Sequence, residues 1–557
     1  MHWWLPPEQR QRWGDSRTLP TSTLSQIFFD LFYVAGAINL GTLLKNSRDP
    51  HGILYFVGTG FAIMMIWFDK MRFDARFATP IGRDVVHRCL EVLQIGLVAT
   101  ALSRIRPAAV MSDACNHTDM LEFSGSLCLS SIVTMYRYIE IMCFSSVTAV
   151  DPGARVAARM DVQWKIVPTL LFLVATVDSF LSYFGNDPDA CQRSDLPIQC
   201  CLAAWFAWIV VGYCCMVIYT PKDRGETVKV SVPMNIQFCM HRYGEWFMLM
   251  FGESIISLLI VDGNNESFDY NVSFFSGILS IVVLAHLHFA LEPHEADAHA
   301  LGRSRRSSFV YSVIVPVYSV ALIAIGVSYK MFLYEFIIGY YDGDAAAHRL
   351  LVEDGQNNHG SVYDSYYEQE KRQQFAANLF CASIATVMIC ADLILLVHKG
   401  VPEVIREART LSSRSLIIFI LTKLVLLVLL AILIIVQNDP HVVAFCGLAA
   451  IVSQELWRGL YLFHTTVQKP NDTTAAGDHP ADLSKPPEAF INVSTWLSTM
   501  SALPGHARNE SNRVRVLALF ERKGLVETEN TLAKCTQEDI TQSVDDVRVA
   551  GDYIELA

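Results

Sequence analysis

Residues 241–261, HRYGEWFMLMFGESIISLLIV, combine the length of a membrane-spanning helix with side chains that bind protons or ions. Arg242 and Glu253 would lie about 20° apart around such a helix and about 16 Å apart along its axis. A charge near the middle of a membrane helix costs about 2.5–3.5 kcal/mol, so it usually has a partner or a function. We expect Gly244 and Gly252 to leave room for closely packed neighbouring helices. The stretch favours a carboxylate that exchanges a proton or an ion, and the alternative is a paired acid that joins two helices.

Two other acids, Asp30 and Glu91, also lie inside apolar runs of the sequence. His87, Glu91 and Gln94 follow i, i+4, i+7 spacing and therefore form one polar stripe of a helix. Apart from His87, which lies close to Glu91, no cation stands one turn away from Asp30, Glu91 or Glu253. Their partners must come from other helices, from water or from a transported ion, and a carboxylate removed from water binds a proton more readily.

Two further pairs, Arg137 with Glu140 and Glu455 with Arg458, are spaced i, i+3 and can neutralise each other locally. We interpret both pairs as structural, while Arg137 and Arg242 are also the expected counter-charges of the coupling acids. The predicted transport and coupling residues are Asp30, Glu91, Glu253, His87, Arg137, Glu140 and Arg242.

The elements that must position these residues are apolar helices. Of the 557 residues 52% are hydrophobic and 18% are charged, whereas soluble domains contain about 25% charged residues. We therefore predict an all-α, polytopic integral membrane protein with about twelve transmembrane helices. The predicted transmembrane domain comprises residues 24–463. A cytosolic segment, residues 1–23, precedes it, and a cytosolic, largely disordered tail, residues 464–557, follows it. The predicted spans are 24–44, 52–68, 86–104, 123–147, 164–184, 201–219, 241–261, 272–291, 309–329, 376–397, 415–436 and 442–463.

The distribution of Lys and Arg predicts that both termini are cytosolic (N-in/C-in), because the connections on that side carry about twice as many of them. Asn116, Asn265 and Asn271 head glycosylation sequons in the predicted outer connections. They are the glycosylation candidates, although sequons also occur in the predicted cytosolic tail. The long, acidic and tyrosine-rich segment 338–374 is predicted to be a flexible outer loop.

Composition and motifs exclude several classes of function. A net charge of −12 argues against nucleic acid as a partner. No Ser/His/Asp arrangement, Walker loop or GxGxxG motif is found, so we predict neither an enzyme nor a bound cofactor. His294 and His299 are spaced i, i+5, which puts them about 140° apart on a helix, so they cannot bind one metal ion from a single face. No metal-binding residues are predicted.

Three stretches together resemble the low temperature requirement A (LtrA) family of membrane proteins. Phe28 to Val34 (FFDLFYV) resembles the family pattern LFFDLVFVxAI, and Met71-Arg72-Phe73-Asp74 resembles NRFD with Met in place of Asn. The later pattern HxxERxGLxxxxxLGES matches at Arg242, Gly244, Gly252, Glu253 and Ser254, but its His falls on Phe238 and its Glu on His241. The family-motif residues are Phe29, Arg72, Asp74, Gly244, Gly252 and Ser254. The resemblance covers about residues 20–465; it implies a membrane location and a helical core, and it assigns no reaction.

The sequence therefore favours a secondary transporter of an unidentified small solute or ion, with proton coupling as an option. The alternatives are a cation channel lined by the same acids and a non-transporting sensor or scaffold that acts through the tail. The expected surroundings are the lipid bilayer of the plasma membrane or an endomembrane, and homo-oligomerisation is left open.

Overall fold

Long helices make up the part of the chain that the computed structural model describes. That part consists of residues 7–9, 24–78, 85–113, 116–143, 153–185, 194–218, 234–261, 268–293, 295–296, 298–352, 359–400 and 440–467. Side chains 335–369 and 460–467 are outside the description. The predicted tail 464–557 therefore lies almost wholly outside the described residues, as does most of segment 1–23.

The described residues contain thirteen helices. The first seven are α1 (Leu24–Asn46), α2 (Pro50–Arg76), α3 (Val85–Ser103), α4 (Ala108–Met111), α5 (Asp119–Cys143), α6 (Gly153–Phe184) and α7 (Leu196–Ile218). The other six are α8 (Ile236–Leu259), α9 (Phe268–Leu291), α10 (Ala300–Arg303), α11 (Arg305–Val352), α12 (His359–Lys399) and α13 (Pro440–Val467). A two-residue antiparallel pairing of β1 (Glu8–Gln9) with β2 (Phe77–Ala78) extends the end of α2.

All of these helices except the four-residue α4 and α10 coincide with predicted spans. The remaining predicted span, 415–436, lies outside the described residues. Within the described ranges, eight helices are long and apolar enough to cross a membrane. The other long helices, α5, α8 and α13, all carry charged residues in their sequences. The all-helical, multi-pass membrane fold is therefore confirmed, whereas the number of twelve spans and the N-in/C-in orientation stay predictions.

Contacts between helix termini define two ends of the bundle, which we call the near end, where α1 begins, and the far end, where α1 ends. At the near end, the last turns of α2 and α7 meet the first turns of α6, α8 and α11 around one cavity. At the far end, Lys45 near the end of α1 lies over the ring of Tyr334 in α11, and His51 contacts Asp195 at 2.7 Å. The long helices from α1 to α12 therefore alternate in direction, as a multi-pass membrane protein requires. Helix α13 runs parallel to α12, since both end at the near end, and residues 401–439 between them lie outside the described residues.

The prediction of a flexible loop over 338–374 is wrong for most of that segment. Helix α11 continues to Val352 and α12 already begins at His359. The sequence here contains a run of three alanines followed by His-Arg-Leu-Leu, and alanine, arginine and leucine have high helix propensity. Acidic and tyrosine-rich composition suggested solvent exposure, which a helix outside the bilayer also satisfies.

Close approach of two helices occurs at Gly326 and not at the glycines expected from the sequence. A Cβ atom on Gly326 would lie 2.9 Å from the backbone Cα of Ser254, so α8 and α11 contact each other almost backbone to backbone. A Cβ atom on Gly244 or Gly252 would meet nothing within 4 Å. Among the described residues, no helix packs closely against these two glycines, so the close neighbours expected there are not found in the part of the chain that the structure describes.

Candidate functional site

Asp30 and Arg242 form the best-defined ion pair of the bundle. Arg242 donates from Nη1 to Asp30 Oδ2 at 2.6 Å and from Nη2 to Oδ1 at 2.7 Å, and both side chains are buried. Trp67 Nε1 donates a third hydrogen bond to Asp30 Oδ1 at 2.8 Å. Arg242 Nη1 also reaches Glu245 Oε2 at 2.7 Å. Arg242 therefore lies between two carboxylates, one on α1 and one on its own helix.

Glu91 is held by two cations from neighbouring helices. Lys70 Nζ lies 2.9 Å from Glu91 Oε1, and Arg137 Nη2 donates to Glu91 Oε2 at 3.1 Å. Lys70 Nζ also donates to Asp74 Oδ2 at 3.0 Å, and Gln26 donates to the same oxygen. Lys70 therefore repeats the arrangement of Arg242, since it too bridges two acids. Of the three kinds of partner that the sequence left open for Asp30 and Glu91, namely other helices, water or a transported ion, the structure shows cations from other helices.

The polar stripe predicted on α3 faces α5 and forms three contacts with it. His87 Nε2 lies 3.0 Å from Glu140 Oε2, Arg137 contacts Glu91, and Gln94 Nε2 donates to Thr134 Oγ1 at 3.1 Å. Arg137 and Glu140 thus each contact α3, which their i, i+3 spacing did not indicate. The other predicted local pair, Glu455 with Arg458, does form at 3.8 Å.

Three further ion pairs complete a buried group at the near end. Asp161 accepts from Arg76 and, at 3.4 Å, from Arg72, while Lys165 pairs with Asp69. We call the whole set the charge layer, since its members lie within about three turns of the near-end terminus of their helices. It consists of Asp30, Asp69, Lys70, Arg72, Asp74, Arg76, Glu91, Arg137, Glu140, Asp161, Lys165 and Arg242, together with His87.

Glu253 lies apart from this layer, in the far-end half of α8. Its Oε1 atom accepts from Ser257 Oγ at 2.8 Å, while its buried Oε2 atom has no hydrogen-bond partner among the described residues. The cation that acts on it electrostatically is Lys330 of α11. Of the three acids singled out in the sequence, Asp30 and Glu91 are therefore neutralised by direct contacts, whereas Glu253 keeps an unpaired buried oxygen.

A second buried polar feature runs along α9. Ser273, Ser276, Ser280 and His288 are all buried and follow three- and four-residue steps, with Leu284 completing the spacing, so they share one helix face. Ser280 Oγ and Tyr329 OH of α11 are 2.7 Å apart. Together with Glu253, Ser257, Tyr318 and Tyr329, these residues make up what we call the polar track, which lies between α8, α9 and α11.

His288 is the most unusual residue of the polar track. It is fully buried among Phe247, Tyr318 and Phe289, with ring centroids 3.9, 5.4 and 5.2 Å away, respectively. Neither of its ring nitrogens has a hydrogen-bond partner among the described residues, and the same holds for the hydroxyl group of Tyr318. Leaving a buried polar group unpaired costs about 1–3 kcal/mol, so such atoms are normally explained by a ligand, water or function.

The near-end continuation of this track is a cluster of Glu292, His299 and His398. Glu292 Oε1 accepts from Tyr311 OH at 2.8 Å, and Oε2 lies 2.9 Å from His299 Nε2 and 3.6 Å from His398 Nε2. The cluster thus joins the end of α9 to α10, α11 and the end of α12. Only His299 was singled out in the sequence, and the other expected histidine, His294, lies outside the described residues.

The tautomers of the two histidines favour hydrogen bonding to Glu292 over a metal ion. The Nδ1 atoms of His299 and His398 accept hydrogen bonds from the backbone N–H groups of Leu301 and Ala300. Each neutral ring therefore carries its proton on Nε2, the atom that points at Glu292. A metal-bound histidine normally donates its second N–H to an acceptor, whereas here the second nitrogen faces a donor. The three side chains lie close enough to share an ion, but this hydrogen bonding does not suit one.

Charge states in the cluster follow from the same contacts. Burial alone would raise the pKa of Glu292, but the hydrogen bond from His299 and the approach of His398 outweigh it and hold the pKa below its usual range. Burial lowers the pKa of His299, and the hydrogen bond to Glu292 offsets this only in part. The cluster therefore combines an ionised carboxylate with a neutral His299.

A groove of about 470 Å³ opens beside Asp30 and is lined by residues of α1, α8 and α9, among them Gly244, Glu245 and Phe289. The family-motif glycine at 244 thus keeps one side of the Asp30–Arg242 pair accessible. The other motif residues occupy distinct places: Arg72 and Asp74 belong to the charge layer, Phe29 is a buried core residue and Ser254 packs on Gly326.

Asn116 and Asn271 are exposed, at the start of α5 and in the first turn of α9, respectively. Both therefore lie at the far end, while Asn265 falls outside the described residues. Their glycosylation stays a prediction.

The family model described as "Bacterial low temperature requirement A protein (LtrA)" matches residues 22–453. Neither the comparison with curated proteins nor the comparison with solved structures gave a match. The matched segment covers most of the chain and contains the charge layer, the polar track and the Glu292 cluster. The chain belongs to the LtrA family.

Proposed function

We propose that this LtrA-family protein is a proton-coupled secondary transporter, in which protons move along the polar track and the charge layer opens and closes the near end. The observation that carries the proposal is His288, a fully buried imidazole between α8, α9 and α11 whose two nitrogens have no hydrogen-bond partner in the part of the chain that the structure describes. Imidazole accepts and releases protons near neutral pH and serves as a proton shuttle in many proteins. Ionisable residues inside membrane segments commonly mark proton relays.

The dimensions of the polar track suit this role. Ser273 and Glu292 are separated by about 28 Å along the axis of α9, which is close to the roughly 30 Å of a bilayer hydrocarbon core. Buried polar atoms without a hydrogen-bond partner among the described residues recur along the track, at Glu253 Oε2, Ser273 Oγ, His288 and Tyr318 OH. These atoms are suited to binding water, which would complete a relay between the hydroxyl groups and the imidazole.

The charge layer contains two cations that can each bind either of two carboxylates, so it can adopt two arrangements of ion pairs. Lys70 lies between Asp74 and Glu91, and Arg242 lies between Asp30 and Glu245. Protonation of one carboxylate of a pair would free the shared cation to bind the other more tightly. Asp30 and Glu91 would then couple protonation to the positions of α1, α3 and α8, which agrees with the role expected from the sequence.

Proton flux into proteoliposomes that contain a pH-sensitive dye tests the proposal. Liposomes with wild-type protein, His288→Phe and Glu253→Gln are compared under an imposed pH gradient and potassium diffusion potential. We expect flux to fall at least about ten-fold in both variants, since each loses a group that exchanges protons. His286→Gln is the matched control, because His286 lies on the same helix two residues away and its side chain is 71% exposed.

Flux that persists in both variants while their folding is intact would contradict the polar track as the proton path. The alternative function is a cation channel. In a channel, cysteines introduced at positions 30 and 253 would be accessible to thiol reagents from both sides of the membrane at the same time. If no gradient produces flux, the interpretation as a sensor or scaffold is favoured. Because that function would act through the tail, removal of residues 470–557 tests it directly.

A further inference from the structure

A cavity of about 420 Å³ opens at the near end, where α2 and α7 end and α6, α8 and α11 begin. Ligand pockets in proteins typically measure about 300–1,000 Å³. The cavity is separate from the polar track, but it adjoins the charge layer, which contributes Arg72 and Arg76 to its wall. Its position at the mouth of the bundle makes it accessible to a ligand from the near side.

The charged groups that the described residues contribute to the cavity wall are cations. Arg72, Arg76 and Arg305 line it, while the carboxylate bound to Arg72 and Arg76, that of Asp161, is not part of the wall. Among the described residues, Arg72 and Arg76 share one carboxylate, that of Asp161, and together they keep an excess of positive charge. Arg76 Nε is buried and has no hydrogen-bond partner among the described residues. Guanidinium groups bind carboxylates and phosphates through paired hydrogen bonds, so this end of the cavity suits an anion.

The remaining wall is apolar, with hydroxyl groups along one side. Trp164, Phe309, Met160 and Met216 provide aromatic and thioether surface, and methionine adapts to ligands of different shape. Arg72 lies over the ring of Trp164, 3.9 Å from its centroid, which joins the cationic part to the aromatic part. Ser304, Ser308 and Ser312 line the cavity in steps of four residues at the start of α11. A ligand that fits this wall carries a negative group on an apolar body.

We propose that this cavity binds an organic anion, with its carboxylate or phosphate group between Arg76 and Arg305 and its apolar part against Trp164 and Phe309. If the cavity is the substrate site, organic anions are the class of substrate that the protein transports. This role in transport rests on the proposed function. The same chemistry is offered by a free organic acid or by the phosphate headgroup of a lipid. The two sources share the cationic contacts and differ in how they reach the cavity.

Equilibrium binding to the purified full-length protein in a non-ionic detergent tests the site without any transport step. The probes are octanoate and phenyl phosphate as free anions, and phosphatidic acid as a lipid, with octanol as the uncharged counterpart of octanoate. Thermal stabilisation and quenching of tryptophan fluorescence report binding. We expect both free anions to bind at least about ten-fold more tightly than octanol, because a charged hydrogen bond is lost in the alcohol.

Arg305→Gln and Arg306→Gln form a matched pair of variants. Both arginines are exposed neighbours in the first turn of α11, but only Arg305 lines the cavity, so neither change is expected to disturb folding. We expect Arg305→Gln to weaken anion binding about ten-fold or more and Arg306→Gln to leave it within about two-fold. Binding of phosphatidic acid alone, with the same Arg305 dependence, would support the site and assign it to a lipid headgroup.

The proposal would be overturned if octanoate bound no more tightly than octanol and phosphatidic acid showed no Arg305-dependent binding, or if the two arginine variants had equal effects. Its failure is distinguishable from failure of the proposed function, because binding is measured without a gradient. Proton flux that depends on His288, without anion binding, would reject the cavity as the substrate site. Anion binding without flux would leave the site intact and reject the transporter.

Discussion

Asp30 and Arg242 are 212 positions apart in the sequence, yet their side chains are joined by two hydrogen bonds of 2.6 and 2.7 Å. Such paired hydrogen bonds between guanidinium and carboxylate groups are the strongest type of charged contact that side chains form. The pair connects α1 to α8, the two helices that carry the longest family motifs. It therefore couples the two regions of the chain on which the family resemblance depends.

Removal of one partner of this pair should be strongly destabilising. We expect Asp30→Asn to lower the free energy of unfolding by about 3–5 kcal/mol, because it leaves a buried guanidinium group with an incomplete counter-charge. The apparent melting temperature in detergent measures the effect. The double variant Asp30→Leu/Arg242→Met should recover part of the loss, since it removes both charges. A double variant less stable than Asp30→Asn would argue that the pair stabilises the fold directly.

Two glycine-to-alanine changes on facing helices should have opposite effects. Gly326→Ala would place a Cβ atom 2.9 Å from the backbone of Ser254, and we expect it to destabilise the protein by about 1–3 kcal/mol through overpacking. Gly252→Ala meets nothing within 4 Å and should stabilise α8 by up to about 1 kcal/mol, because alanine favours helix. Thermal unfolding of both variants checks this. Equal destabilisation would mean that α8 also packs closely at Gly252.

Acid should weaken the Glu292 cluster. Glu292 and His299 have pKa values lowered by the fold, so the unfolded chain binds more protons and stability falls as the pH drops. The loss should begin below the usual histidine pKa of 6.5 and continue below the usual glutamate pKa of 4.5. The groups that face Glu292 are His288 on its own helix, Tyr311 on α11, His299 before α10 and His398 on α12.

Melting temperatures measured between pH 8 and pH 5 test this dependence. His299→Gln retains an N–H donor near Glu292 but does not titrate, so its melting temperature should fall less over the same range. An identical pH profile for wild type and His299→Gln would show that His299 does not contribute to the loss.

Divalent metal ions should have little effect on the cluster. Because the Nδ1 atoms of His299 and His398 accept backbone hydrogen bonds, binding a metal through Nε2 would require a proton to move onto Nδ1, opposite an N–H group. We expect neither EDTA nor equimolar zinc to shift the melting temperature by more than about 1 °C. Stabilisation by zinc that His398→Gln abolishes would instead identify a metal site.

The helices could be predicted from the sequence because membrane helices are continuous apolar runs of about twenty residues. The polar face of α3 was also predictable, since the spacing of His87, Glu91 and Gln94 places these side chains on one side of the helix. Lateral neighbours were not predictable, because helical periodicity says which way a side chain points and not which helix it meets. Arg137 and Arg242 were expected as counter-charges of the coupling acids, but only the structure assigns Arg137 to Glu91 and Arg242 to Asp30. His398 joins Glu292 across 106 positions, and no local pattern marks either residue.

The separation of Asp30 from Arg242 has a consequence for how the chain is made. Ribosomes add about 5–20 residues per second, so Asp30 is synthesised about 10–40 seconds before its counter-charge exists. During that interval α1 contains an uncompensated acid that opposes entry into the bilayer by as much as about 3 kcal/mol. Helix α1 is apolar enough to span a membrane by itself, but its acid gains its arginine partner only when α8 arrives. A chain that stalls before Arg242 would therefore keep α1 without its contact to α8.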